Sequence, residues 1–117
     1  MKYFVLIFSL VSDRCHLGQA EDTSGPSIKI NIQQSYGAIK ISNCTVPDEQ
    51  DKIEDILKYY SDDLNLHCIF TTGGTGFAPR DVTPEATRNV IHKECPQLAL
   101  AMALESFEKT RFAALSR

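Results

Sequence analysis

Three glycines separated only by Thr75 (Gly73, Gly74 and Gly76) join an apolar run, LHCIF at 66–70, to a segment rich in helix-start residues. Backbone without Cβ atoms can turn several N–H groups toward one anion, and a helix that begins just downstream adds the positive end of its dipole. Thr83 reads as the N-cap, Pro84 as the first helical residue and Glu85 as a first-turn acid. Strand, glycine loop and helix in that order could hold a phosphate or another oxyanion, with Arg80 and Asp81 beside it. The same glycines could equally form a tight structural turn. Neither GxxxxGK[ST] nor GxGxxG occurs, so the common nucleotide-binding loops are excluded.

Other chemistry-bearing residues have ordinary structural readings. Asp48 follows Pro47 just after an alternating run, where a carboxylate caps or compensates a helix start. His67, inside the apolar run before the glycines, reads as a core or edge histidine rather than a catalyst. Cys15, Cys44, Cys68 and Cys95 are widely spaced without a CxxC pair, which points to free thiols in a reducing compartment rather than a zinc or disulfide framework.

The chain that must position these groups has 117 residues, 43% of them apolar and 23% charged, with a formal net charge of −3. That allows one globular domain and argues against a nucleic-acid partner, which needs a basic face. Residues 1–11, MKYFVLIFSLV, are too few to span a bilayer. They read as a buried strand of an α/β sheet. The alternative is a secretory signal that ends at Gly18-Gln19-Ala20, with Asn43-Cys44-Thr45 as a glycosylation sequon. The charged loop Ser12-Asp13-Arg14 favours the strand. Residues 38–45 alternate as a second strand, and Ile53, Ile56, Leu57 and Tyr60 share one face of a helix expected to open at Pro47. Residues 66–70 form a third strand, and Val90 and Ile91 extend the helix after the glycine loop until Cys95-Pro96 stops it. LALAMAL, 98–104, reads as a buried helix or an oligomer face.

The string GGTGFAPRDVTPEAT resembles the signature of the molybdopterin-binding family, which includes the Mog-type adenylyltransferases and the amino-terminal domain of gephyrin. VSDRCHLGQAEDTSG, VPDE at 46–49 and SFEKTRFAALSR at 106–117 are similar to further stretches of that family, with Asp22, Ser24 and Gly25 matching a DxSG motif. Glu105 and Arg111 depart from the small or apolar residues of gephyrin. In 25–36, Ile28, Ile30 and Ile32 alternate with strand period, whereas the resemblance and Pro26 imply a helix, and a helix is expected.

The resemblance implies a three-layer α/β/α fold with a mostly parallel central sheet. It also implies a last strand and helix beyond Arg117, so the 1–117 domain is expected to lack them. The implied activity is molybdenum cofactor biosynthesis: Mg2+-dependent transfer of AMP from ATP to molybdopterin, with release of pyrophosphate. Asp48 and Asp81, each after a different strand, are the implied catalytic carboxylates and magnesium ligands, since Mg2+ needs only one or two carboxylates beside its waters and phosphates. Gly73, Gly74, Thr75 and Gly76 would supply the cradle. Ser12, Asp13, Ser106 and Ser116 are further candidates for pterin or nucleotide contacts. A homotrimer, a cytoplasmic location and, as in gephyrin, a molybdate-inserting domain or a receptor loop as partner complete the expectation. The alternative is a catalytically impaired binding or scaffold module.

Overall fold

The computed structural model describes residues 5–12, 14, 17–36 and 40–117. Three parallel strands form its sheet: β1 (Val5–Val11), β2 (Lys40–Val46) and β3 (Cys68–Thr72), in the order β2-β1-β3. The amino-terminal apolar run is thus the central strand, in register from Val5↔Lys40 to Val11↔Val46 on one side and from Leu6↔Cys68 to Leu10↔Thr72 on the other. A nearly continuous apolar sequence, broken only by Ser9, suits a strand that is paired along both edges. β3 begins two residues later than its apolar run, which leaves His67 exposed just ahead of the strand.

Four helices are described: α1 (Ser24–Tyr36), α2 (Gln50–Lys58), α3 (Thr83–Val90) and α4 (Pro96–Phe107). The segment with strand-period isoleucines is helical. Asp22 Oδ1 accepts the Gly25 N–H at 2.9 Å and starts the helix. A Cβ on Gly25 would collide with the Asp22 carboxylate, so glycine is required there. Ile28 and Ile32, one helical turn apart, are half-buried, while Ile30 between them is 54% exposed. Two of the three isoleucines therefore satisfy the helical period, and the cap decides between the two patterns.

α2 begins at Gln50 rather than at Pro47, because Pro47 folds back as a tight turn that accepts the Glu49 N–H at 2.8 Å. Ile53 is fully buried and Leu57 nearly so, and a single π-helical turn, Tyr59–Asp63, carries on to bury Tyr60. Asn65 then takes a left-handed φ of 50°, which asparagine tolerates, and redirects the chain into β3. Val46, Ile53, Leu57 and Ala86 form the core where α2 and α3 meet, flanked by Cys44, Ile56, Ile69, Val82 and Val90. α3 ends at Val90, with Ile91 already extended, so Pro96 opens a new helix rather than stopping an old one.

The strand order has a consequence for ligands. The chain crosses from β1 to β2 in one direction and then from β2 past β1 to β3. Right-handed crossovers therefore place α1 on one face of the sheet and α2 on the other. The winding reverses between β1 and β3, and ligands of open parallel sheets bind in the crevice outside the carboxyl ends of the strands at such a reversal.

α4 does not occupy the buried position its composition suggests. Leu98, Leu100, Met102 and Leu104 are 51–71% exposed, and the helix packs chiefly on the 3-10 turn Arg111–Leu115. Among the described residues no helix is long and apolar enough to cross a membrane, and Cys44, Cys68 and Cys95 are free thiols. Cys15, the fourth cysteine, lies outside the described residues.

Candidate functional site

Three loops leave the carboxyl edge of the sheet side by side. Ser12 follows β1 and donates its N–H to Val46 O at 3.0 Å, which ties the β1 exit to the β2 exit where Pro47 and Asp48 follow. Gly73 follows β3, whose last residue pairs with Leu10. Ser12 and the glycine loop consequently flank the winding reversal, while Asp48 stands on the far side of β1. Neighbouring strands lie about 4.8 Å apart, so the β2 and β3 exits are separated by about 10 Å. Asp13 lies outside the described residues. Ser106 is exposed near the end of α4, where its carbonyl accepts the Lys109 and Thr110 N–H groups, and Ser116 is exposed beyond the 3-10 turn.

The glycine loop is held by its own residues. Gly73 and Gly74 adopt φ of 83° and 62°, the left-handed region where a side chain costs energy. Thr83 N–H donates to Gly74 O at 3.0 Å, so the helix start closes the loop. Val82 rather than Thr83 is the N-cap residue, and Thr83 opens α3 ahead of Pro84 with its hydroxyl buried and without a partner among the described residues. Asp81 is engaged twice with Ala78: its Oδ2 accepts the Ala78 N–H at 3.0 Å and its own N–H donates to Ala78 O at 2.9 Å. Gly76 must be glycine for this to work, since a Cβ there would sit 2.6 Å from Asp81 Oδ2. Gly76 and Asp81, five residues apart, are thereby brought into contact. No described residue accepts a hydrogen bond from the amides of Gly74, Thr75, Gly76 or Phe77.

Arg117 was not among the residues singled out from sequence, yet its side chain contacts Thr75, Gly76, Phe77 and Asp81 of this loop. Its Nε donates to Thr75 O at 3.1 Å and Gly76 O at 2.8 Å, and Nη2 donates to Asp81 O at 2.6 Å. Nη1 pairs with Glu85 Oε1 at 2.6 Å, and the guanidinium lies 5.5 Å from the centre of the Phe77 ring. Its hydrogen bonds reach 32 to 42 residues along the chain, and no local spacing encodes such a contact.

The Arg117 hydrogen bond holds the Glu85 carboxyl below its ordinary value of 4.5. A lowered folded value means that the pair stabilises fully above 4.5 and is lost as pH falls through the lowered value. Replacing Glu85 by Gln should accordingly lower the melting temperature near neutral pH, and the gap to the parent should close on acidification below 4.5; a thermal melt series over pH measures it. Burial raises the Cys68 thiol, and burial with the Cys44 contact raises the Tyr60 phenol, as expected for core groups.

Among the described residues no group of three or more His, Cys, Asp or Glu side chains could hold a metal ion unaided. Magnesium does not need one. It is commonly held by one or two carboxylates with substrate phosphates and water, and Asp81, with only Oδ2 used by the Ala78 amide, fits that pattern.

Residues 8–117 match the family described as a probable molybdopterin binding domain. The chain belongs to that family. It is 49% identical over 107 residues to the molybdenum cofactor synthesis protein cinnamon of Drosophila melanogaster, covering 92% of this chain and 18% of that protein. To the molybdopterin adenylyltransferase of Haemophilus influenzae it is 38% identical over 108 residues, covering 92% of this chain and 55% of the enzyme. Among solved structures, the molybdopterin biosynthesis enzyme MoaB of Thermus thermophilus superposes with a TM-score of 0.84 at 39% identity, over 97% of this chain and 71% of that one. The chain thus spans about half the length of the bacterial adenylyltransferase and a smaller part of the insect protein. The α/β fold of the molybdopterin-binding family, expected from GGTGFAPRDVTPEAT and VPDE, is the fold observed.

Proposed function

We propose that this domain serves molybdenum cofactor biosynthesis by transferring AMP from ATP to molybdopterin, releasing pyrophosphate. The observation that carries this reading is the glycine loop at the β1/β3 reversal, with amides that donate to no described residue and an aspartate anchored beside them. Joining two phosphorylated substrates requires that their mutual repulsion be cancelled and their phosphates aligned, which is a matter of positioning and electrostatics rather than of a protein nucleophile. In this reading the amides of residues 74–77 hold phosphate oxygens, the start of α3 adds its dipole, and Asp48 and Asp81 hold Mg2+, which would neutralise phosphate charge. Ser12, which follows β1, would contact the pterin or the nucleotide, and Asp13 is a further candidate for that role. Incubation with ATP, Mg2+ and molybdopterin should release pyrophosphate and form adenylyl-molybdopterin by mass spectrometry; neither product appearing would remove the enzymatic reading.

A second reading is favoured by the exposed apolar face of α4: a gephyrin-like binding or scaffold module that assembles as a homotrimer or docks a partner. Molybdopterin binding without nucleotide transfer would select it. The cytoplasmic location and a molybdate-inserting domain or receptor loop as partner belong to these proposals.

A further inference from the structure

The contacts of Arg117 point beyond simple tethering of its own segment, once the glycine loop is read as a phosphate cradle, the reading on which this inference rests. No peptide bond described is cis. In a planar trans peptide the C=O and the following N–H point in opposite directions. The Thr75 carbonyl belongs to the same peptide as the Gly76 N–H, and the Gly76 carbonyl to the same peptide as the Phe77 N–H. Because Arg117 Nε gathers both carbonyls, at 3.1 and 2.8 Å, both of these N–H groups are turned away from the guanidinium and toward a common side. Gly74 O, held by the Thr83 N–H at 3.0 Å, orients the Thr75 N–H in the same indirect way. Two adjacent glycine-loop peptides have little intrinsic preference for one orientation, since Gly76 lacks a Cβ. An external clamp is therefore what decides it.

We propose that Arg117 is a positioning residue for phosphate binding: by collecting the carbonyls of Thr75, Gly76 and Asp81 it sets the Gly76 and Phe77 amides as donors toward the substrate side of the loop. Glu85 holds the guanidinium in place from the first turn of α3, and Phe77 covers it. The planar fork of arginine is needed, because one nitrogen must bridge two carbonyls while the other two reach Asp81 O and the Glu85 carboxylate; the single ammonium of lysine cannot match that pattern.

The test compares Arg117→Ala and Arg117→Lys with the parent by two readouts. In 1H–15N spectra of the ligand-free proteins the Gly76 and Phe77 amide signals should shift or broaden in both variants, while those of Ile53 and Leu57 in the core stay in place. Titration with ATP and Mg2+ should give a dissociation constant raised about tenfold or more in both variants, the scale of one lost charge-assisted contact set. Unaltered Gly76 and Phe77 signals would overturn the proposal. So would altered signals with unchanged ATP affinity, or lysine restoring both readouts, which would mark Arg117 as a general charge anchor. If the parent itself binds no ATP, the adenylyl-transfer reading falls, and the amide signals still decide whether Arg117 orients the loop.

Discussion

Asp81→Asn should leave the glycine loop folded and still reduce nucleotide transfer by about a hundredfold or more, the loss typical of removing one electrostatic element from a transfer site. Asp81 has two separable properties. Its Oδ2 accepts the Ala78 N–H at 3.0 Å, a turn-forming contact that an asparagine carbonyl can reproduce. Its negative charge is what a magnesium ion would need, and asparagine lacks it. The amide variant therefore removes the charge and keeps the turn, whereas Asp81→Ala removes both. Losing the turn contact costs about 1 kcal/mol, visible as a fall of about 5 °C in melting temperature. Pyrophosphate release and thermal melts on both variants separate the two properties. If Asp81→Asn turns over like the parent, Asp81 is a loop-forming residue only, and the metal assignment passes to Asp48 or fails.

Ile53→Ala is expected to have the largest effect on stability, about 2 to 5 kcal/mol. Ile53 is fully buried where α2 meets α3, and among the described residues it clusters with Val46, Leu57 and Ala86, flanked by Cys44, Ile56, Ile69, Val82 and Val90. Truncation there removes apolar atoms from water-excluded packing and leaves a void that the surrounding side chains refill only in part. Domains of this size are stable by about 5 to 15 kcal/mol in total, so one substitution removes a large share. Urea denaturation followed by circular dichroism should show the midpoint falling with little change in slope. A loss below about 1 kcal/mol would mean that Ile53 is not at the centre of the packing between these helices.

The glycine loop was legible because its information is local. Gly73 and Gly74 take positive φ, and Gly76 makes room for a side chain only five residues on, so residue type and short spacing carry the geometry. Helix starts were less exact. Pro47 and Thr83 both announce a helix, but the helices begin at Gln50 and Thr83, with Glu49 and Val82 as caps, since backbone turns rather than side-chain caps set these entries. The isoleucines of α1 pointed toward a strand, yet the helix expected there is the one observed. A period of two was written in the sequence, and the Asp22 cap with one half-buried pair, Ile28 and Ile32, outweighed it.

α4 shows what composition leaves open. An almost wholly apolar helix reads as buried or as an oligomer face, and in this chain Met102 is 71% exposed, because burial depends on what another element brings against a face.

Arg117 marks the same boundary at the site. The sequence alone determined the parallel α/β class, the glycine loop and the family, because periodicity, glycine spacing and a long local string suffice for those. Which peptides of that loop face which way was decided only in three dimensions, where the side chain of Arg117 meets carbonyls from Thr75, Gly76 and Asp81 and the carboxylate of Glu85. The physical reason is that amide orientation is set by hydrogen-bond partners, and partners 32 to 42 residues away are chosen by the packing of the chain, not by its local order.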